Sequence, residues 1–261
     1  MPNIFDVKKV FTDIPELLRY LPVTLEITVI SMIVGLIFAF LIAIIKVKKI
    51  PVLSQIAGVF VSFTRGTPML VQLYLTYYGI PIALKYFNYY KGTNYNINNI
   101  PSIIFVLIAF SLNEAAYNSE NIRGAILSLD KGEIEAAHSI GMNPWQVFYR
   151  ITLPETFTIA LPALGNSLIS LIKGTSLAFV CAVVEMTARG KIIAGNDYRY
   201  FEVYISLALI YWAITIIIEQ VMKRIEKKLA IPGTVSESNN TESTSRHRYS
   251  FLGARMGGQG K

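Results

Sequence analysis

Residues 21–45 form an apolar run in which Glu26, near its start, is the only charge before Lys46. A helix of about 20 mainly apolar residues crosses the ~30 Å hydrocarbon core of a bilayer and satisfies its own backbone there. The rest of the chain repeats the pattern. Hydrophobic residues make up 53% of the 261 and charged residues only 16%, where soluble domains average about 25% charged. That length and composition suit an all-helical membrane protein of about five spans.

The spans can be placed. The second apolar stretch, 52–87, is too long for one crossing. Arg65-Gly66-Thr67-Pro68 is a turn signal followed by a proline suited to a helix start, so a short helix before Arg65 and a span from Pro68 are expected. Residues 85–100 read as a polar loop, and a third span runs from Pro101 to about Asn121. The fourth stretch, about 156–184, is expected to be interrupted at Pro162, Gly165-Asn166 and Lys173-Gly174. Residues 185–202 are polar. A last span from Val203 to about Val221 ends in Lys223, Arg224, Lys227 and Lys228.

The ends have a different character. In residues 1–20, Val7, Val10, Phe11, Ile14, Leu17 and Leu18 recur at helical spacing beside Lys8, Lys9 and Arg19, which predicts an amphipathic interfacial helix. No cleavable signal peptide is evident, because this segment lacks a continuous apolar core. Residues 232–261 change character: Pro232-Gly233 ends the helix, SESNNTESTS follows with almost no apolar content, and the segment reads as a disordered tail. Asn239-Asn240-Thr241 is a glycosylation triplet by pattern only. The terminal GGQGK lacks the spacing of a phosphate loop.

The net charge of +7 reads as membrane flanks, not as a nucleic-acid footprint, because the basic residues cluster at span ends. With the N-terminus outside, the inner segments hold eleven Lys/Arg and the outer segments eight. Cys181 has no disulfide partner and no metal ligands beside it, and His138 and His247 are not at ligand spacing. No Walker lysine, nucleophile elbow or HExxH occurs, so no catalytic set and no metal site is expected.

Polar groups inside spans are costly and therefore candidate functional residues. Asn113, Tyr117, Glu120 and Gly124 lie on one face of the third span, and Glu114 lies beside them, roughly 20 Å below Pro101. Glu120 and Arg123 are positioned to pair at i,i+3. Glu114 either contacts substrate or joins helices. On the second span, Gln72 and Thr76 share a face and either bind a zwitterion or hold helices together. Tyr74, Tyr77 and Tyr78 read as an interfacial aromatic belt. On the fourth stretch, Lys173 either meets a substrate carboxylate or snorkels to headgroups. Gly174 and Thr175 are placed to let the helix open toward a pore.

A charged segment, 130–154, lies between the apolar runs and reads as two small helices. Asp130 with Glu133 forms a capping box at the first start. Gly141 supplies the left-handed stop. Asn143 and Gln146 form a second box, with Pro144 at the first helical position, and Pro154 closes the unit. Glu135 with Ala136 and Ala137 presents a flat small-residue surface beside one carboxylate.

The spacing from Glu135-Ala136-Ala137 through Gly141 to Ile151 and Leu153-Pro154 resembles the EAA loop of ATP-binding cassette importer permeases. The resemblance extends over roughly residues 20–231. RGTPMLVQ is similar to the start of the second core span of polar amino acid importers, NEAAYNSENIRGAI to their third-span motif, and LIKGTSLAF to their LIKxTSLA segment. Gly174 stands where many members carry an acidic or amide residue. The resemblance implies a type I importer permease with a five-span core and a cytoplasmic two-helix docking loop.

In that family the loop docks on a separate ATPase subunit that holds ATP and magnesium. A second permease, identical or a sister chain, faces the first across the pore. An extracytoplasmic binding protein delivers the amino acid. The stretch from Ala194 to Glu202 most resembles cystine-type permeases; glutamine, histidine and arginine importers share the frame. Two other readings stay open on the residues alone: an ATPase-independent channel or secondary transporter using Glu114 and Glu120, and a membrane-embedded enzyme.

Overall fold

The computed structural model describes residues 5–96 and 99–229, and every described regular element is helical. The tail 232–261 lies outside the described residues. The chain divides into two units at Val221. The first contains nine helices and most of a tenth. The second contributes, among described residues, the last turns of that tenth helix.

The helices in order are α1 (Val7–Leu18), α2 (Leu21–Val47), α3 (Leu53–Gly66), α4 (Met69–Lys91), α5 (Ser102–Leu127), α6 (Lys131–Ser139), α7 (Pro144–Val147), α8 (Leu153–Gly174), α9 (Met186–Asp197) and α10 (Tyr200–Leu229). Four described helical stretches are long and apolar enough to cross a membrane: Leu21–Val47, Ser102–Leu127, Pro144–Cys181 and Tyr200–Leu229. The expected fifth, α4, has 23 residues but is not apolar enough, because Lys85, Tyr86, Asn88, Tyr89, Tyr90 and Lys91 occupy its second half. The short helix before Arg65 and the restart after Pro68 are as the sequence predicts.

α2 and α5 form the centre of the first unit. The buried face of α2 carries Thr28, Ser31, Gly35, Ala39 and Ala43. These small residues let the backbones approach, as helix pairs in membranes require. Gly35 is the tightest point: a Cβ there would lie 2.6 Å from Glu114 Cβ and 3.1 Å from the Ser111 carbonyl oxygen. α4 and α8 pack on other sides of α5.

α8 differs from expectation in where it breaks. Pro162 and Gly165 lie within an unbroken helix, and the geometry tightens to a 3-10 helix only at Thr175–Cys181. Nor does Pro154 stop the chain. A π-turn, Phe148–Thr152, joins α7 to α8, and Pro154 falls in the first turn of α8. The wider turn that precedes it makes room for its ring within the continuing helix.

The polar stretch 185–202 carries a helix, α9. Glu185 is fully buried and caps α9, accepting hydrogen bonds from the Thr187 and Ala188 N–H groups at 2.9 and 2.8 Å. The apolar side of α9 packs with Leu17 of α1 and with Val203, Leu207 and Ile210 of α10. Polar contacts hold α1 in place. Ser206 Oγ donates to the Val10 carbonyl at 2.7 Å. Lys9 pairs with Asp197, and Arg189 pairs with Glu16. Val7, Phe11 and Leu18 are left facing outward, so α1 keeps an apolar outer side.

Candidate functional site

Two sites emerge: the connection between α5 and α8, and a cleft between those same helices. In the connection, Asp130 caps α6 by accepting from the Gly132 N–H at 2.8 Å. Glu133 does not complete a box, because its carboxyl lies beside that of Glu155. α6 ends as expected. Gly141 has φ +87°, its N–H bonds to the His138 carbonyl, and the Met142 N–H bonds to the Ala137 carbonyl. This pair of bonds makes a Schellman stop. Asn143 and Gln146 form the full reciprocal box, both bonds at 2.9 Å.

The surface of this hairpin differs from the expected one in a single residue. Glu135 and Ala136 are exposed, but Ala137 is buried and belongs to the packing beneath. The exposed surface includes large apolar side chains instead: Ile140, Trp145 and Tyr149 stand 80%, 71% and 63% exposed. Ile151 and Leu153 are half-buried and Pro154 is exposed. A carboxylate among bare apolar residues on two capped, rigid helices is suited to contact with another protein.

The cleft, about 410 Å³, is lined by Asn113, Glu114, Tyr117 and Asn121 of α5 and by Ala163, Asn166, Ser167 and Ser170 of α8. That size falls within the usual range for small-ligand sites. Glu114, which is buried, accepts from Asn118 Nδ2 at 2.7 Å and from Ser167 Oγ at 2.6 Å. The wall therefore offers one carboxyl group for an ammonium, and several amides and hydroxyls for a carboxylate.

The other predicted residues have different surroundings. Asn113 Nδ2 donates to Gln72 Oε1 at 3.0 Å, and Gln72 Nε2 donates to the Thr64 and Thr67 carbonyls at 2.7 and 3.0 Å. Gln72 thus ties the Arg65–Pro68 turn to the cleft wall. Tyr117 lies under the Arg65 guanidinium, 5.4 Å from ring centre to Cζ. Glu120 pairs with both Lys46 and Arg123, joining the C-terminal portions of α2 and α5. Thr76 and Thr175 donate to carbonyls of their own helices. Thr175 is fully buried, whereas Lys173 is exposed. Tyr74 and Tyr78 stack at 5.8 Å, and Tyr77 meets Phe105 edge-on, so these rings form a cluster.

The α8 half of the cleft was missed from sequence. Asn166 and Ser170, four residues apart in an apolar helix, form the same kind of polar stripe as on α5. Asn166 was read with Gly165 as an interruption of the helix, and Ser170 was not singled out.

Residues 19–231 match the family described as binding-protein-dependent transport system inner membrane component. The chain is 38% identical over 230 residues to the probable amino-acid permease protein YxeN of Bacillus subtilis, covering 88% of this chain and 98% of that one. It is 35% identical over 229 residues to the L-cystine transport system permease protein TcyL of the same organism, covering 88% and 93%. A crystal structure of an amino acid ABC transporter with histidines superposes with a TM-score of 0.72 at 30% identity, covering 86% of this chain and 99% of the other.

Proposed function

The chain belongs to the binding-protein-dependent transport system inner membrane component family, and from that premise we propose that it moves L-cystine inward through the α5–α8 cleft by alternating access. It is a permease subunit of a polar amino acid ATP-binding cassette transporter, a multi-pass inner membrane protein, and not itself the ATPase. In the finer reading α4 is a fifth span, crossing with its first half packed on α5. The α6–α7 hairpin is the cytoplasmic docking loop. ATPase subunits engage Glu135, Ala136 and the exposed Ile140 and Trp145. A second permease, a copy or a sister chain, completes the pore, and an extracytoplasmic binding protein supplies the cargo.

The observation that carries this reading is the hairpin itself. Its stop at Gly141 and its box at Asn143 fix two short helices with their apolar side chains uncovered. A self-sufficient channel has no use for such a surface. ATP binding at the partner shifts the hairpin, and α5, rigid and continuous from Ser102 to Leu127, carries the shift to the cleft. Each nucleotide state must favour one arrangement of the spans for coupling to occur. Within the cleft, Glu114 faces the cargo ammonium, while Asn113, Asn166 and Ser170 face its carboxylate. Gln72 and Tyr117 hold the wall, and the Gly174–Thr175 change of helix type allows the outer half of the pore to move.

Cystine is chosen because the region from Ala194 to Glu202 resembles cystine-type permeases and because TcyL is among the relatives. Glutamine, histidine and arginine are the alternatives. The test is uptake of radiolabelled cystine in cells lacking the chain and in cells with it restored, competed by unlabelled amino acids. Restored uptake blocked by cystine-like compounds alone is expected. Unchanged cystine uptake with the protein present in the membrane removes cystine and passes the series to the other three.

A further inference from the structure

The hairpin is joined to the cleft helices in two different ways. α5 ends at Leu127, and Ser128 and Leu129 lie outside any helix before Asp130 caps α6. On the other side no loop intervenes. From Pro144 to Cys181 the chain is one helical stretch of 38 residues, so α7 and the α8 wall of the cleft share an axis. A shared axis fixes rotation as well as distance.

The π-turn lies between them. The Leu153 N–H reaches back to the Phe148 carbonyl, five residues away and not four. The turn thus holds one residue more than an α-turn, and one residue of an α-helix is about 100° of rotation, since 3.6 residues make a full turn. Packing does not explain the extra residue, because no side chain from Phe148 to Thr152 is buried. Pro154 does explain it. In an α-turn its ring would meet the Arg150 carbonyl, four residues back. Pro154 is itself exposed, so no core packing calls for a proline there.

The two ends of the turn are not held equally. α8 buries Thr156, Ala160, Leu161, Leu164, Leu171 and Ile172, whereas α7 buries only Val147. If the turn closed to the α form, α7 would be the end to yield. Each residue before the turn would then give up its place to the one that follows it. Phe148 would be driven into the buried place of Val147, and Gln146 would stand where Trp145 is now 71% exposed.

We propose that Pro154 is a positioning residue of the docking hairpin. By holding the Phe148–Thr152 turn in the π form it sets the rotation of α7 about the axis shared with α8, and so the angle at which Trp145 faces the ATPase subunit. This rests on the importer reading above. Rotation imposed on α7 by the partner then reaches Asn166, Ser167 and Ser170 in the cleft with no loop to absorb it.

The test compares the unmodified permease, expressed with its ATPase, with two variants: Pro154→Ala, and Pro154→Ala with Arg150 deleted. Alanine lets the turn close. Deleting one residue of the turn removes the surplus, so that a closed turn leaves α7 where it was; Arg150 is exposed. Orientation is read, in each background, by a disulfide between Glu133→Cys on α6 and Glu155→Cys on α8, whose native carboxyl groups lie side by side. Pro154→Ala is expected to suppress the cross-link and to lower ATPase affinity about tenfold or more. The deletion is expected to restore both. A proline that merely touched the ATPase, or merely stabilised the permease, would not be replaced by a deletion four residues away. Undiminished cross-linking in Pro154→Ala overturns the proposal. So does damage that persists once Arg150 is deleted, failure of both variants to accumulate in the membrane included. If the cross-links behave as expected but the unmodified permease retains no ATPase, the importer reading fails instead.

Discussion

Replacing Gly35 by alanine should separate packing from helix propensity at the centre of the fold. The added Cβ would lie 2.6 Å from Glu114 Cβ and 3.1 Å from the Ser111 oxygen. Carbon atoms rest about 3.5–4.0 Å apart, so α2 and α5 must part by about 1 Å at the level of the cleft. Overpacking of this kind costs about 1–3 kcal/mol. Alanine also gains up to about 1 kcal/mol of helix propensity over glycine, which masks part of the loss. Gly79→Ala supplies the reference: it lies inside α4, and a Cβ there meets nothing within 4 Å. The propensity gain is common to both, so Gly35→Ala should be about 1–3 kcal/mol less stable than Gly79→Ala. Thermal unfolding of the two variants in the same detergent measures the difference. Coincident unfolding of the two would refute the close approach of α2 and α5.

Lys46→Glu and Glu120→Lys should each loosen the inner ends of α2 and α5, and the double exchange should recover part of the loss, with a pair coupling of about 0.5–3 kcal/mol by the same unfolding assay; strict additivity contradicts the pairing. The α1 latch should depend on pH. The hydrogen bond from Lys9 holds the Asp197 carboxyl below its ordinary value, and the same bond raises the Lys9 ammonium. A depressed carboxyl contributes stability that is present above its unfolded pKa and lost as pH falls through the folded one. A raised amine contributes stability lost only as pH climbs through its folded value. Hydrogen exchange in α1 should therefore be slowest across the neutral range, relative to intrinsic rates, and should lose protection as the pH falls below the usual carboxylate range. Lys9→Met should remove that dependence, and an unchanged profile would count against the latch.

What could be read from sequence was what is decided within a few residues. Asn143 and Gln146 cap a helix whatever surrounds them, Gly141 stops one, and Glu120 reaches Arg123 one turn away. Each of these signals closes locally. The Asp130 box failed because Glu133 found a neighbour, Glu155, more than twenty residues on. Which side of α2 packs was not legible from hydropathy, since the helix is apolar nearly all round. The signal was instead steric: Ser31, Gly35, Ala39 and Ala43 recur every four residues, and that spacing is the one a close helix pair needs. α9 was seen only as a polar stretch because the partners that bury its apolar side, in α1 and α10, are distant in sequence from its own pattern. Residues 85–91 were assigned to a polar loop although they complete α4, whose stop is Gly92 at φ +63°.

The central claim is that the α6–α7 hairpin is where an ATPase subunit attaches. The most direct measurement is co-purification of the ATPase with the tagged permease from solubilised membranes, comparing the unmodified chain with Glu135→Lys and Gly141→Val. Glu135 is exposed, and its reversal leaves the permease packing untouched. Gly141→Val puts a branched side chain at φ +87°, a strained left-handed conformation, and so spoils the stop between the two helices. Both variants are expected in the membrane at normal abundance with the ATPase lost and transport abolished. ATPase retained at full stoichiometry in both variants, with uptake intact, would contradict the account.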